Sequence, residues 1–209
     1  MTDEPRVWAT QIMMRSEHIF TVWPLEDQLD REFFMNHELL NPVDPGSCPS
    51  ALYVKEGRAP KGDLFTMVNM VVVVSEELAD LISSFDTGAE PNATHPDLPR
   101  TELLRMPLFA RDQKTKLRDV AILYVCNEKN SFMPDQSETF YDADQNGRYG
   151  MIVGEQRLVV NRKALLGEDI WRERHLRNAI FFSDRLVQAM AAAKMKPMKA
   201  IYPCEVVEG

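Results

Sequence analysis

The sequence predicts an α+β fold, with a mixed, mostly antiparallel sheet or pair of sheets carrying two or three packed helices. Three observations lead there. One short element occurs twice, as VVVVSEELADLI over 71–82 and AIFFSDRLVQAM over 179–190. In each, an apolar run meets a Ser, then an acid, then apolar residues at helical spacing, so Ser75 aligns with Ser183, Leu78 with Leu186 and Ile82 with Met190. β-Branched and aromatic runs bounded by Gly, Pro, Asn and Asp recur along the chain as strands do. The helical stretches between them come too irregularly for a doubly wound sheet. The doubled element reads equally well as a duplication or as two uses of one good helix start, because capping rules alone select Ser followed by acid.

Residues 7–14 and 19–23 read as the first strands, with Pro24 ending the second. Leu25, Leu29 and Phe33 then recur at i, i+4 and i+8 among acids, which argues for an amphipathic helix ending before Pro42. Residues 41–50 are loop by their Pro, Gly and Ser content. A short strand over 51–54 and a turn over 56–63 follow. Residues 71–74 are β-branched throughout and read as a buried strand. Ser75 caps the next helix by accepting a hydrogen bond from a free N–H of its first turn. Glu76 and Glu77 lie at the positive end of the helix dipole, and the helix stops near Phe85. The Pro-containing stretch 86–100 is a connection. Residues 101–109 and 119–127 form a hairpin with a charged tip, and 128–147 is polar and acidic. Two short strands are expected over 151–153 and 157–160. Trp171 falls in a charged segment read as helical. Residues 179–182 are a strand, Ser183 caps a helix through Lys194, and 200–207 close the chain as a strand that Pro203 assigns to an edge. Residues 1–60 are expected to pack on a main domain of 61–209 as one continuous unit.

The chain has 209 residues, 44% hydrophobic and 27% charged, enough for one sizeable core. Its net charge of −8 argues against a nucleic-acid partner, since phosphate contacts need clustered Lys and Arg. The same charge suits a basic partner and also plain solubility. Cys48, Cys126 and Cys204 show no CxxC and lie beside apolar segments, as reduced, buried thiols do. The N-terminus carries acid where a signal peptide needs base, and the apolar run 70–74 is far too short to span a membrane. The expectation is a cytoplasmic chain with no membrane partner.

Catalytic patterns are absent from the sequence: no GxSxG elbow, Walker loop, GxGxxG fingerprint or HExxH, and no close spacing among His18, His37, His95 and His175. DADQNG, over 142–147, opens like a calcium-binding EF-hand loop, but position 12 is Val153 instead of a bidentate Glu, which makes it a polar turn. No catalytic residue, metal ligand or cofactor is assigned, and Ser75 and Ser183 are assigned as helix caps. The tract 128–144 differs in kind. Glu128, Asp135, Glu138, Asp142 and Asp144 face a single base, Lys129, and Phe132, Met133, Phe140 and Tyr141 interleave with them. Aromatics among acids form an anchor and rim suited to a basic partner. The alternative is that the aromatics fold back into the core. Phe132, Asp135, Glu138, Tyr141, Asp142 and Asp144 are therefore the candidate partner-binding residues.

The string IFFSDRLVQAMAAAKMKPMKAIYPCEV, over 180–206, resembles the C-terminal signature of a bacterial family of polymorphic-toxin immunity proteins, the MXAN-type immunity domain, formerly a domain of unknown function. Members of that family end in a strand, a Ser-acid-x-Leu helix start, a short helix, a turn and a closing strand, matched here from Ile180 through Ser183–Leu186 to Val206. An earlier Ser-Glu-x-Leu helix is matched by Ser75–Leu78, so the likeness spans most of 63–207. The chain departs at the last turn, where a Gly is usual and Pro197 and Met198 stand. The family has no established catalytic residues. The resemblance implies a protein that binds and neutralises a cognate toxin or effector, a basic one in view of the acidic tract. Two other classes remain open: an enzyme with carboxylate chemistry in a cleft between the halves, and an accessory subunit of a secretion or phage assembly.

Overall fold

The computed structural model describes residues 6–12, 16–25, 48–67, 71–88, 101–139, 143–144, 147–151, 153–176, 178–196 and 198–208. The helix expected after Leu25, most of the loop over 41–50 and most of the connection over 86–100 lie outside the described residues. The strands are β1 (Val7–Thr10), β2 (Ile19–Phe20), β3 (Val22–Pro24), β4 (Leu52–Val54), β5 (Leu64–Met67), β6 (Val72–Ser75), β7 (Glu102–Phe109), β8 (Lys116–Tyr124), β9 (Glu128–Lys129), β10 (Val159–Asn161), β11 (Ile170–Glu173), β12 (Ile180–Ser183) and β13 (Tyr202–Val207). The described α-helices are α1 (Glu76–Ser83) and α2 (Asp184–Ala192). The fold is α+β and dominated by its sheets. One has six strands in the order β10-β13-β1-β12-β11-β9, the other seven in the order β2-β5-β6-β8-β7-β4-β3.

Both helices lie between the sheets. Leu78 and Ile82 of α1 and Leu186 and Met190 of α2 share one core with Val72, Val74, Ala121 and Leu123 of the seven-stranded sheet and Ile170, Ile180 and Phe182 of the six-stranded one. Residues of opposite parity point outward. Phe65, Val73 and Ile122 enter a second core behind the seven-stranded sheet, and Val7, Ala9, Trp171 and Phe181 a third behind the six-stranded sheet. Each central strand is thus buried on both faces, which is why its sequence runs apolar instead of alternating.

The two sheets repeat one plan. From its edge strand inward, each pairs parallel, antiparallel, antiparallel, antiparallel and parallel: β2-β5-β6-β8-β7-β4 in one, β9-β11-β12-β1-β13-β10 in the other. The registers agree as well. Ser75 faces Val120 and Val120 faces Met106, while Ser183 faces Val7 and Val7 faces Cys204. One step further, Leu108 faces Leu52 as Val206 faces Val160. On the other flank, Thr66 faces Ile19 as Arg172 faces Glu128. Reuse of one helix start would not reproduce registers across six strands, so the doubled sequence element marks a structural duplication. The halves follow the same chain order, except that the last strand of the second half is β1, brought from the chain's start. The described parts of residues 1–60 are therefore woven into both sheets.

The halves hold each other through a reciprocal pair of aspartates. Asp63 precedes β5 and Asp169 precedes β11. The Asp63 N–H donates to Lys196 O at 2.6 Å, just beyond α2, and the Asp169 N–H donates to Asp86 O at 2.7 Å, just beyond α1. Each carboxylate accepts from the N–H of that same residue, Lys196 to Asp63 Oδ2 at 2.8 Å and Asp86 to Asp169 Oδ2 at 2.9 Å. Each carbonyl accepts from the capping serine of its own half, Ser75 at 2.8 Å and Ser183 at 2.9 Å.

Four expectations need correction. Trp171 lies in strand β11 and is fully buried, because the strand pairs on both sides and the carboxylate of Glu173 beside it is filled by buried donors instead of facing solvent along a helix. β13 is internal, between β10 and β1. Pro203 is accommodated because β10 begins only opposite Glu205, and the N–H of Glu205 points toward that side; Pro203, of the same parity, lacks its N–H where no strand has yet started. β5 occupies a stretch that had no assigned strand. Residues 151–153 form only an isolated bridge, Val153 to Gln156, among the described residues.

Helix α2 ends in a Schellman motif: the Lys194 N–H bonds Ala191 O and the Met195 N–H bonds Met190 O, both at 3.0 Å. The motif puts Lys194, which is exposed, at φ 56° in the left-handed region, where glycine costs least. Lys194→Gly is expected to raise stability by about 0.5–1 kcal/mol, read as a higher urea midpoint at unchanged slope.

Candidate functional site

The acidic tract is held to the outer side of the six-stranded sheet by backbone bonds. The Met133 N–H donates to Val159 O at 3.0 Å, the Asn161 N–H to Ser131 O at 2.8 Å and the Glu138 N–H to Arg157 O at 2.9 Å. The Val159 N–H in turn donates to Ser137 Oγ at 3.0 Å, and the Arg157 N–H to Glu138 Oε2 at 2.9 Å. At the start of the tract sits Glu173, 3% exposed. Its carboxylate accepts from the N–H groups of Ser131 (2.8 Å) and Phe132 (3.0 Å), from the Ser131 hydroxyl and from Trp171 Nε1 (3.0 Å). A buried carboxylate is tolerated when its lone pairs are filled in this way.

On this frame the candidate residues separate. Phe132 is 6% exposed, packs edge-on against Tyr149 with centroids 6.0 Å apart and bridges Val160. It belongs to the outer core and is not an exposed anchor: its own N–H and that of Ser131 bond the buried Glu173, which turns the ring inward. Asp135 stands exposed in a 3-10 turn over Pro134–Gln136, and Glu138 is exposed beside it in sequence. Asp144 is half-buried and builds a turn, accepting the Gly147 N–H on its carbonyl and the Arg148 N–H on Oδ1, with Gly147 at φ 70°. Asp142, Gln145 and Asn146, the rest of the DADQNG string except Ala143, lie outside the described residues, as does Tyr141. Among the described residues, no group of three or more His, Cys, Asp or Glu could hold a metal ion. No described helix is long and apolar enough to cross a membrane.

Ser75 and Ser183 cap α1 and α2, accepting from Leu78 N–H at 3.2 Å and Leu186 N–H at 3.3 Å. Ser183 also donates to Asp169, whose carboxylate receives Arg185 in a bidentate pair at 2.5 and 2.6 Å. Burial alone would raise the Asp169 pKa; the Arg185, Ser183 and Asp86 hydrogen bonds outweigh it and hold the carboxyl below its ordinary value. These groups line an open cleft of about 950 Å³ with Arg6, Glu168 and Asp184. Asp184 in turn accepts from Trp8 Nε1 at 2.7 Å. Burial pushes the Cys126 thiol up to about 12 and raises Cys204 as well, so neither is a thiolate nucleophile at neutral pH.

Sequence reasoning missed Asp169, Glu173 and Lys129. The Lys129 ammonium lies 3.7 Å from the Trp171 ring centroid and donates to the carbonyls of Leu166 at 2.6 Å and Glu168 at 3.1 Å, a cage that fastens the loop before β11. All three act through partners distant in sequence. The signal that was present is an Asp followed by an aliphatic and an aromatic residue, Asp63-Leu64-Phe65 and Asp169-Ile170-Trp171, ahead of each capping serine. Comparison with protein-family models finds none that matches the chain, and a search of curated proteins likewise finds no match.

Two outcomes follow from these contacts. Asp169→Ala is expected to cost about 2–4 kcal/mol, because it leaves the Asp86 N–H and the Ser183 hydroxyl without their buried acceptor; the exposed Arg185 adds little. Since the folded pKa is lowered, the contribution is fully present above the unfolded carboxylate value near 4 and is lost as pH falls through the folded value. Urea titrations of wild type and variant should therefore converge as the pH is lowered below about 4. Glu173→Gln, which places an amide among donors, is expected to cost about 1–3 kcal/mol. It should also accelerate amide hydrogen exchange over 131–138 more than in β6, and equal effects in both segments would contradict the pinning role.

Proposed function

We propose that the chain is a stoichiometric binding protein that captures and neutralises a cognate toxin or effector inside the producing cell, the role that its resemblance to the immunity family implies. The observation that supports this reading most is the way the acidic tract is presented. Residues 131–138 are fastened to 157–161 along their length while Asp135 and Glu138 stay exposed. A charged surface held in one conformation binds without the cost of ordering a loop, and its field speeds encounter with a basic partner. Phe132, being buried, acts as the foot of this surface, and anchors must come from elsewhere in an interface of about 1,600 Å².

A carboxylate enzyme working in a cleft is the second reading, and the 950 Å³ cleft beside α2 is the observation in its favour. Two of its three acids, however, are occupied. Asp169 is bound by Arg185 and Ser183 with its pKa lowered, and Asp184 by Trp8, whereas a general acid would need a raised pKa. The carboxylate that burial does raise, Glu102, does not line that cleft.

The test is co-expression with the toxic domain of the effector encoded beside this chain, followed by purification. Rescue with a stable complex is expected; rescue without one would point to the enzyme. Within a complex, Asp135→Lys is expected to slow association about three- to tenfold at low salt, with a smaller effect at high salt. An association rate unchanged by the substitution at low salt would remove the acidic tract from the interface.

A further inference from the structure

A second, oppositely charged site lies behind the other sheet. Beside the edge strand β2, a cavity of about 250 Å³ is lined by His18, Arg58 and Lys61 around Phe20 and Phe65. Phe20 meets Phe65 edge-on with centroids 5.8 Å apart, which makes the wall apolar. Next to the cavity, Arg118 donates from Nη2 to the carbonyl of the lining residue Gly62 at 2.9 Å and lies 5.5 Å from the Phe65 centroid, which fastens the loop. Arg58 and Lys61 make no ion pair among the described residues. In a chain of net charge −8, two unpaired cations on the rim of one concave apolar wall are an arrangement that an anion would complete.

The duplicated plan sharpens the point. In the shared register Phe20 corresponds to Lys129, facing Met67 and Glu173 respectively, and Phe65 corresponds to Trp171. In the second half the chain fills the place over its aromatic with its own ammonium and closes the loop on it by hydrogen bonds. In the first half Phe20 takes the corresponding position against Phe65, and the loop before β5 brings Arg58 and Lys61 to the rim of the cavity beside them.

We propose that this cavity binds a small organic oxyanion, its phosphate or carboxylate head held by Arg58 and Lys61 and its flat apolar body seated against Phe20 and Phe65. The volume lies just below the usual range of drug-sized sites, so the ligand is a single-ring compound or smaller.

The test uses the full chain with phenyl phosphate, benzoate, inorganic phosphate and phenol as probes at fixed ionic strength, following amide shifts of Gly62, Leu64 and Phe65 by NMR. Phenyl phosphate or benzoate is expected to bind saturably, whichever is tighter naming the head group, and at least about tenfold tighter than phenol or inorganic phosphate. The exposed double variant Arg58→Gln/Lys61→Gln, whose spectrum elsewhere reports that it is folded, is expected to weaken binding about tenfold or more. The proposal is overturned if neither ring-bearing anion saturates those shifts at millimolar concentration, or if the double variant binds them as well as wild type does.

Discussion

Two aspartates, Asp63 and Asp169, each hold two backbone junctions through three hydrogen bonds. Through its N–H and carboxylate each binds the residue that leaves the other half's helix, and through its carbonyl it binds the serine that starts its own. Helix ends leave backbone groups unsatisfied, and the layer between two sheets offers little water to satisfy them. Tying the exit of one helix to the entry of the other half's hairpin meets that need in both halves and fixes how the helices sit between the sheets. The central core depends on that placement: Leu78, Ile82, Leu186 and Met190 reach inner residues of both sheets only when both helices are held.

How much of this was legible follows from where each signal resides. The strand-to-helix junctions at Ser75 and Ser183 are local, and so is the β7–β8 hairpin, whose tip is set by Asp112 accepting from the Lys114 and Thr115 N–H groups and the Thr115 hydroxyl. These elements could be read from the sequence. β5 and β11 were not read: one flank of each is completed by a strand far away in sequence, β2 and β9, and the charges of Arg172 and Glu173 disguised a buried strand as an exposed helix. Pro203 misled in the same way: the edge it requires is one residue position beside a late-starting strand, not the margin of a sheet. Phe132 lay among acids in sequence, but the buried Glu173 draws its backbone inward, which no local pattern records.

The duplication also explains how one plan carries two different surfaces. Over the second half's aromatic, Trp171, the chain closes its own loop with Lys129, and acids are pinned along the outside of that sheet. Beside the first half's Phe65, Phe20 takes the matching position and Arg58 and Lys61 gather at the rim. The acidic tract runs along β10, an edge of the six-stranded sheet, and the basic cavity lies beside β2, an edge of the seven-stranded one. The strand β1, inserted between β12 and β13 from the start of the chain, joins the second half to the first and makes separate folding of either half unfavourable.

The central claim is that reciprocal clamping makes the two halves one cooperative unit. It is tested most directly by urea unfolding followed by ¹⁹F NMR of the chain labelled with 5-fluorotryptophan. Trp23 reports on the seven-stranded sheet, and Trp8 and Trp171 on the six-stranded one. The account predicts one midpoint and one slope for all three signals. A Trp23 transition separated from those of Trp8 and Trp171 would contradict it.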